Sequence, residues 1–280
     1  MLLLLISLSA CAGDAPGAST SGSGRLVAVG DLHGDLDASL AVLQLAGLVD
    51  ESGAWSGDNA TLVQTGDTTD RGPDSKGVLE LMKRLQKEAP GDGGRVVPLL
   101  GNHEVMNLTG DWRYVSEDDL AGFGGAEARK AAFGADAELG GWMRGLDIVA
   151  VVERVAFAHG GVTPEYAKLG VDAINGLLAT PEVLGNSSPI WFRGYLQGPE
   201  PTACKTLELA LVELAAERMV VGHTTQDSGE IASRCNGKLL GIDTGISAHY
   251  GRNLAAVEIV EGDAKALYPS GTVDLPDPRR

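Results

Sequence analysis

Aromatic residues make up only 5% of the 280-residue chain, and 22 basic side chains face 38 acidic ones, for a formal net charge of −16. A chain this acidic is a poor candidate for gripping a phosphate backbone, where affinity comes from Lys and Arg displacing counterions. So few rings also disfavour a base-stacking surface. Nucleic acid is thereby excluded as a main partner. Cysteine is scarce, at 3 residues, and neither Cys204 nor Cys235 sits in a CxxC pair. That excludes a zinc knuckle and a thioredoxin-type site. No GxSxG elbow occurs, and no P-loop or GxGxxG opens a helix, so a serine hydrolase and a nucleotide-dependent transferase lack their signatures. His103-Glu104 starts an HExxH pattern, but position 107 is Asn107, which removes the zinc-protease reading.

What remains is 44% hydrophobic and long enough to bury a sizeable core, as one large domain or two small ones. Glycine, at 39 residues, is about double its ordinary ~7% share, which announces tight turns and close backbone approaches. Met1 to Leu8 is almost wholly apolar yet far short of the ~20 residues a spanning helix needs. Followed by Ser9-Ala10-Cys11, it has the form of an export signal with a lipobox, Cys11 being the lipidated residue. No Lys or Arg precedes the run, and plain export without the lipid is the alternative. The expected location is the periplasm or a lipid anchor at the cell envelope, with no other membrane contact. Residues 12–24 are small and polar, suiting a flexible tether. A catalytic domain is expected over 25–268 and a C-terminal tail over 269–280. In an oxidising compartment Cys204 and Cys235 are candidates for a disulfide; two separate buried thiols are the alternative.

Short apolar runs recur, each leaving into a Gly-containing segment that carries a polar ligand. Leu26–Val29 precedes GDLHGD, Thr61–Thr65 precedes GDTTDRG, and Val96–Leu100 precedes GNHE. Val155–Ala158 precedes HGG, and Met219–Val221 precedes Gly222-His223. Such runs read as buried strands entering turns. Ala38–Leu48, Ser75–Ala89 and Thr202–Glu217 have helical spacing, and Glu117-Asp118-Asp119 reads as a helix start. Strands alternating with helices predict an α/β domain with parallel pairing. Lys238–Ile242 and Ala255–Ile259 read as strands with no long helix between them, which predicts mixed sheets or two packed sheets. In α/β sheets ligands gather at the carboxyl ends of strands, which is where these polar residues fall.

Asp31, His33, Asp67, Asn102, His159 and His223 offer carboxylate, imidazole and amide donors without thiolate. That set favours Mn, Fe, Zn or Mg. The donors are too many for one ion with an open position, and they fit two ions sharing a carboxylate, a device for displacement at phosphorus. Arg71, four residues after Asp67, suits bidentate phosphate binding. His103, beside Asn102 on a turn, is free to face substrate and protonate a leaving oxygen, with Asp70 holding it as imidazolium. Four of the five histidines occupy such turn positions; His249 reads as an ordinary surface or rim residue.

These blocks resemble the PPP-type phosphatases of the calcineurin-like metallophosphoesterase superfamily, over roughly Arg25 to Ile259. GDLHGD and Gly241-Ile-Asp-Thr-Gly-Ile-Ser247 are similar to the bacterial, Shewanella-like branch rather than to the eukaryotic enzymes. The resemblance implies a four-layer α-β-β-α sandwich with mixed sheets and two divalent ions (Mn, Fe or Zn). Asp31 and His33 would bind the first, Asp67 would bridge, and Asn102, His159 and His223 would bind the second. A metal-bridging hydroxide would attack phosphorus, His103 would be the general acid backed by Asp70, and Arg71 would clamp phosphate. Arg193, in Ile190-Trp-Phe-Arg-Gly194, is similar to a second phosphate-binding Arg. The implied substrate is a phosphorylated protein or peptide, or a small phosphomonoester. A diadenosine polyphosphate hydrolase and a non-catalytic phosphate-binding lipoprotein are the alternatives. Metal identity, oligomeric state and natural substrate are not readable from the sequence.

Overall fold

Residues 24–279 are described by a computed structural model. The export signal, Cys11 and the tether up to residue 23 lie outside the described residues. The first half runs β1 (Leu26–Val29), α1 (Leu36–Leu45), β2 (Thr61–Gln64), α2 (Ser75–Glu88), β3 (Arg95–Pro98) and α3 (Asn102–Leu108). A helical excursion comes next, α4 (Glu117–Gly122), α5 (Ala126–Ala132) and α6 (Glu138–Arg144). The second half has β4 (Val149–Val152), β5 (Val155–Ala158), α7 (Pro164–Ala167), α8 (Val171–Asn175), α9 (Gly194–Gln197) and α10 (Glu200–Glu213). It closes with β6 (Arg218–Val221), β7 (Ala232–Arg234), β8 (Leu239–Gly241), β9 (Ala256–Val260), β10 (Asp263–Tyr268) and β11 (Gly271–Asp274).

Two mixed sheets result, ordered β11-β10-β9-β1-β2-β3 and β4-β5-β6-β8-β7. β1, β2 and β3 pair in parallel, and β9 joins β1 antiparallel. In the second sheet β5, β6 and β8 are parallel, with antiparallel edges. Side chains alternate across each strand, so each sheet has two apolar faces. Val27, Val29 and Leu62 pack outward under α1 and α2 against Val42, Leu43, Met82 and Leu85. Leu26, Ala28 and Val63 face inward onto Phe157, Val220 and Leu240 of the second sheet. Ala156, Ala158, Met219 and Val221 turn the other way, onto Leu207 and Leu211 of α10. Helix, sheet, sheet, helix: this is the four-layer sandwich that the resemblance implied.

Helix bounds differ from the periodicity reading where local caps intervene. α1 starts earlier because Asp35 caps it, its carboxylate accepting from Ala38 N at 2.9 Å, and it is over before Gly47 turns left-handed at φ +61°. α10 stops at Glu213, short of the expected Glu217, and Ala215 takes φ +50°. The C-terminal segment is a correction. Residues 271–274 are not a tail but β11, paired antiparallel with β10. Arg218 ties the chain end to the second sheet, donating to the Gly237, Gly262 and Pro276 carbonyls. Cys204 and Cys235 form a disulfide between α10 and the turn after β7. Among the described residues no helix is long and apolar enough to cross a membrane.

Candidate metal centre

The turns that leave β1, β2, β3, β5 and β6 converge at one end of the sandwich. They touch so closely that side chains are excluded at some positions. A Cβ on Gly66, itself at φ +94°, would lie 2.4 Å from Gly101 N, and one on Gly222 would lie 2.2 Å from Asp31 Oδ1. Five non-glycine residues here adopt left-handed backbone: His33 (φ +45°), Asp67 (+55°), Asp70 (+69°), Arg71 (+69°) and His223 (+64°). Such conformations cost on the order of 1–3 kcal/mol each and persist only where surrounding bonds over-determine them.

Glu104 supplies much of that determination. Its Oε1 accepts from Thr68 N and Oγ1, each at 2.8 Å, and from Thr69 N at 3.1 Å and Oγ1 at 3.2 Å. Its Oε2 accepts from Asp67 N at 2.8 Å and Gly101 N at 2.7 Å. One buried carboxylate thus staples the β2 turn to the start of α3.

Asp67 stands at the centre. His159 Nε2 is 3.2 Å from Asp67 Oδ2, His33 Nε2 is 3.7 Å away and His103 Nε2 is 3.8 Å away. His33 Nδ1 faces the Thr69 carbonyl at 3.2 Å, and His159 Nδ1 faces the Thr65 carbonyl at 2.9 Å. A carbonyl only accepts, so each Nδ1 carries the proton and each Nε2 turns a lone pair inward. His159 Nε2 then meets Asn102 Oδ1 at 3.0 Å as well as Asp67. Acceptors converge there with no hydrogen between them. His223 Nε2 is buried with no protein partner. Asp67, His159 and His223 bring ligand atoms within 4.8 Å of one another, as do His33, Asp67 and His103. Asp31 Oδ2 adds a second carboxylate 3.9 Å from His33 Nε2. This donor set fits divalent cations, which satisfy several lone pairs at once.

Titration reflects the crowding. Burial, which outweighs the Asp67 charge, lowers His33 to about 4, and burial with the neighbouring His159 lowers His223 to about 2. Neutral imidazoles are the ligating form. Burial, then the charges of Asp243 and Asp67, pushes Asp31 well above the carboxylate range. His103 goes the other way: burial opposes its charge, but Asp67 and the bond to Asp70 raise it. Its Nδ1 donates to the Asp70 carboxylate at 2.7 Å, a bond that favours the imidazolium, whose Nε2 proton would face the cavity. That commitment separates His103 from the ligating imidazoles.

A cavity of about 250 Å³ opens above these groups, and Arg71 and Arg193 both line it. Arg71 stacks on Tyr114, its guanidinium carbon 3.9 Å from the ring centroid, and its Nε is buried without a protein partner. Arg193 donates to the His223 carbonyl and lies 3.5 Å from Thr224 Oγ1. Tyr114, Trp191 and Tyr250 form aromatic walls. Every catalytic, phosphate-binding and metal candidate from the sequence therefore falls at this one centre. Cys204 and Cys235 lie apart, their sulfurs spent on each other. His249 is exposed at the rim, beside Tyr250.

Sequence reasoning missed Glu104, Asp243 and the Tyr114 and Trp191 walls. Glu104 stands at N3 after Gly101, a capping position that could have drawn notice. Asp243 comes after β8 as the other candidates come after their strands, and it lines the cavity while accepting from Thr225 Oγ1 at 2.7 Å. The walls had no motif to announce them.

A family profile described as calcineurin-like phosphoesterase matches residues 24–227. An uncharacterized protein of Schizosaccharomyces pombe is 38% identical over 261 residues, covering 86% of this chain and 78% of that protein. Shewanella-like protein phosphatase 2 of Arabidopsis thaliana is 32% identical over 280 residues, covering 80% of this chain and 71% of that protein. Among solved structures, the cold-active protein-tyrosine phosphatase of a psychrophilic Shewanella species is similar at a TM-score of 0.80 and 27% identity, covering 91% of this chain and 81% of that chain.

Proposed function

The chain belongs to the calcineurin-like phosphoesterase family, and from that premise we propose that it is a two-metal phosphatase acting on phosphorylated protein or peptide. The observation that carries this reading is the meeting of acceptor atoms around Asp67, with the His223 Nε2 buried and unpartnered nearby, beside the Asp70-bonded His103 and two arginines. Asp31, His33 and Asp67 would hold one divalent ion; Asp67, Asn102, His159 and His223 would hold the other. Mn, Fe and Zn all suit mixed carboxylate and imidazole donors. Ions bound there act as Lewis acids, lowering the pKa of water and neutralising phosphoryl oxygens.

The protein's own groups divide the remaining work. Arg71 and Arg193 hold the phosphoryl oxygens, with Arg71 fixed over Tyr114 so that its planar fork faces the cavity. His103 gives its Nε2 proton to the leaving oxygen, and Asp70 keeps the ring oriented through Nδ1. The aromatic walls favour an aryl ester. Phosphotyrosine is therefore the preferred substrate class, in keeping with the tyrosine-phosphatase neighbour. The Cys204–Cys235 bridge supports an envelope location, since disulfides persist in oxidising compartments.

The test assays phosphotyrosine peptide, phosphoserine peptide and diadenosine tetraphosphate side by side with Mn. The reading expects the highest kcat/KM on phosphotyrosine peptide. Preference for diadenosine tetraphosphate would replace it with the polyphosphate hydrolase, and no phosphate release from any of them would leave only a binding protein.

A further inference from the structure

Behind the proposed acid lies a buried ionic network that the phosphatase reading does not use. Arg129, on α5, is completely inaccessible to solvent. Its Nε donates to Asp119 Oδ2 at 3.1 Å, its Nη1 to Asn107 Oδ1 at 2.5 Å and its Nη2 to Asp70 Oδ1 at 3.3 Å. Phe133, Phe123 and Trp112 surround the guanidinium, with centroids 4.6, 5.2 and 5.5 Å from its central carbon. Burying a cation this deeply is expensive unless its partners are fixed. Here all of its partners are buried too, and one is the carboxylate that orients His103.

The two oxygens of Asp70 have separate duties. Oδ2 accepts from His103, whereas Oδ1 accepts from Arg129 and from Asn107 Nδ2 at 2.9 Å. Clamping Oδ1 stops rotation about the Cβ–Cγ bond and so aims Oδ2 at the imidazole. Arg129 also donates to Asn107 Oδ1, so it holds that amide in register together with the bonds from Asn107 Nδ2 to the His103 carbonyl at 2.8 Å and Thr69 Oγ1 at 3.3 Å. Arg129 is anchored in turn by Asp119, which accepts from Ser75 N at 2.6 Å at the head of α2. The helical excursion α4–α6, of which the sequence signalled only the start at Glu117, thus delivers one cation to the back of the proton donor.

We propose that Arg129 is a positioning residue, acting through Asp70 to hold His103 in line for proton delivery to the leaving oxygen. This rests on His103 being the acid, so the experiment interrogates that separately. Arg129→Met, Arg129→Lys and Asp119→Asn are compared with His103→Asn on 4-nitrophenyl phosphate, whose leaving group needs little protonation, and on phenyl phosphate, which needs much. General acid catalysis is worth ~10²–10⁴-fold. The proposal expects Arg129→Met to lose about tenfold or more in kcat on phenyl phosphate, under about threefold on 4-nitrophenyl phosphate, with KM and bound metal unchanged. Arg129→Lys should recover part of the loss. Equal losses on both esters at full metal content, or no loss, would overturn it and leave Arg129 a packing element. If Arg129→Met does not fold, Asp119→Asn and Arg129→Lys must show the same ester-selective loss in milder form, and uniform rates in them overturn the proposal. If His103→Asn itself shows no ester-selective loss, the acid assignment fails, not the clamp alone.

Discussion

Replacing Glu104 with Gln changes one oxygen for an amide and leaves the volume almost untouched, so its effect isolates the hydrogen-bond staple. Glu104 accepts six hydrogen bonds, four on Oε1 and two on Oε2. A Gln amide offers one acceptor edge and one donor edge. In the better orientation its oxygen keeps the Thr68 and Thr69 donors, and its NH2 faces the Asp67 and Gly101 N–H groups. Those two buried donors lose their partner, at ~1–3 kcal/mol each, for a total of roughly 2–6 kcal/mol. Domains have only ~5–15 kcal/mol of stability in all. At ~2–4 °C per kcal/mol for a chain of this size, Tm should fall by roughly 4–24 °C. The measurement is urea and thermal unfolding in EDTA, so that metal linkage does not enter. Loss of the staple should also release the left-handed turn at Asp67, and metal affinity should fall with it. A Glu104→Gln protein within about 0.5 kcal/mol of wild type, the range of an ordinary surface change, would refute the reasoning.

The Cys204–Cys235 bridge closes a loop of 31 residues' separation and should stabilise the fold by about 3–4 kcal/mol; Cys204→Ser should lower the urea midpoint accordingly. In unreduced native protein neither thiol should react with a maleimide, and two reactive thiols would remove the support for an oxidising compartment. In the metal-free protein His33 titrates near 4 when folded and near 6.5 when unfolded. The unfolded chain therefore takes up the extra proton first, and stability falls as pH drops from 6.5 to 4, by about 3 kcal/mol at ~1.4 kcal/mol per unit. His33→Asn should flatten that part of the stability–pH curve, and an unchanged slope would contradict the assignment.

The candidate site was legible because its donor residues are local punctuation. Each sits one to four residues past a strand, and parallel strands carry all such ends to one side, as with Asp31, Asp67 and Asn102. The layers were legible through the family resemblance, and a strand such as β1, apolar and buried on both faces, agrees with it: helices cover one face and the second sheet the other. The supports were not legible. Arg129 reaches Asp70 across 59 residues through a fold-back of short helices without a sharp period. Tyr114 meets Arg71 only once that excursion is folded. β11 was missed because four exposed residues carry little apolar signal, and pairing with β10 alone defines them as a strand.

The central claim is that one carboxylate, Asp67, joins two metal positions. Mass-spectrometric metal counting on desalted protein, paired with phosphate release from 4-nitrophenyl phosphate, tests it directly in wild type and Asp67→Asn. Wild type should carry two divalent ions per chain, and the variant should carry fewer than two and release no phosphate. Full metal content and undiminished turnover in Asp67→Asn would contradict it.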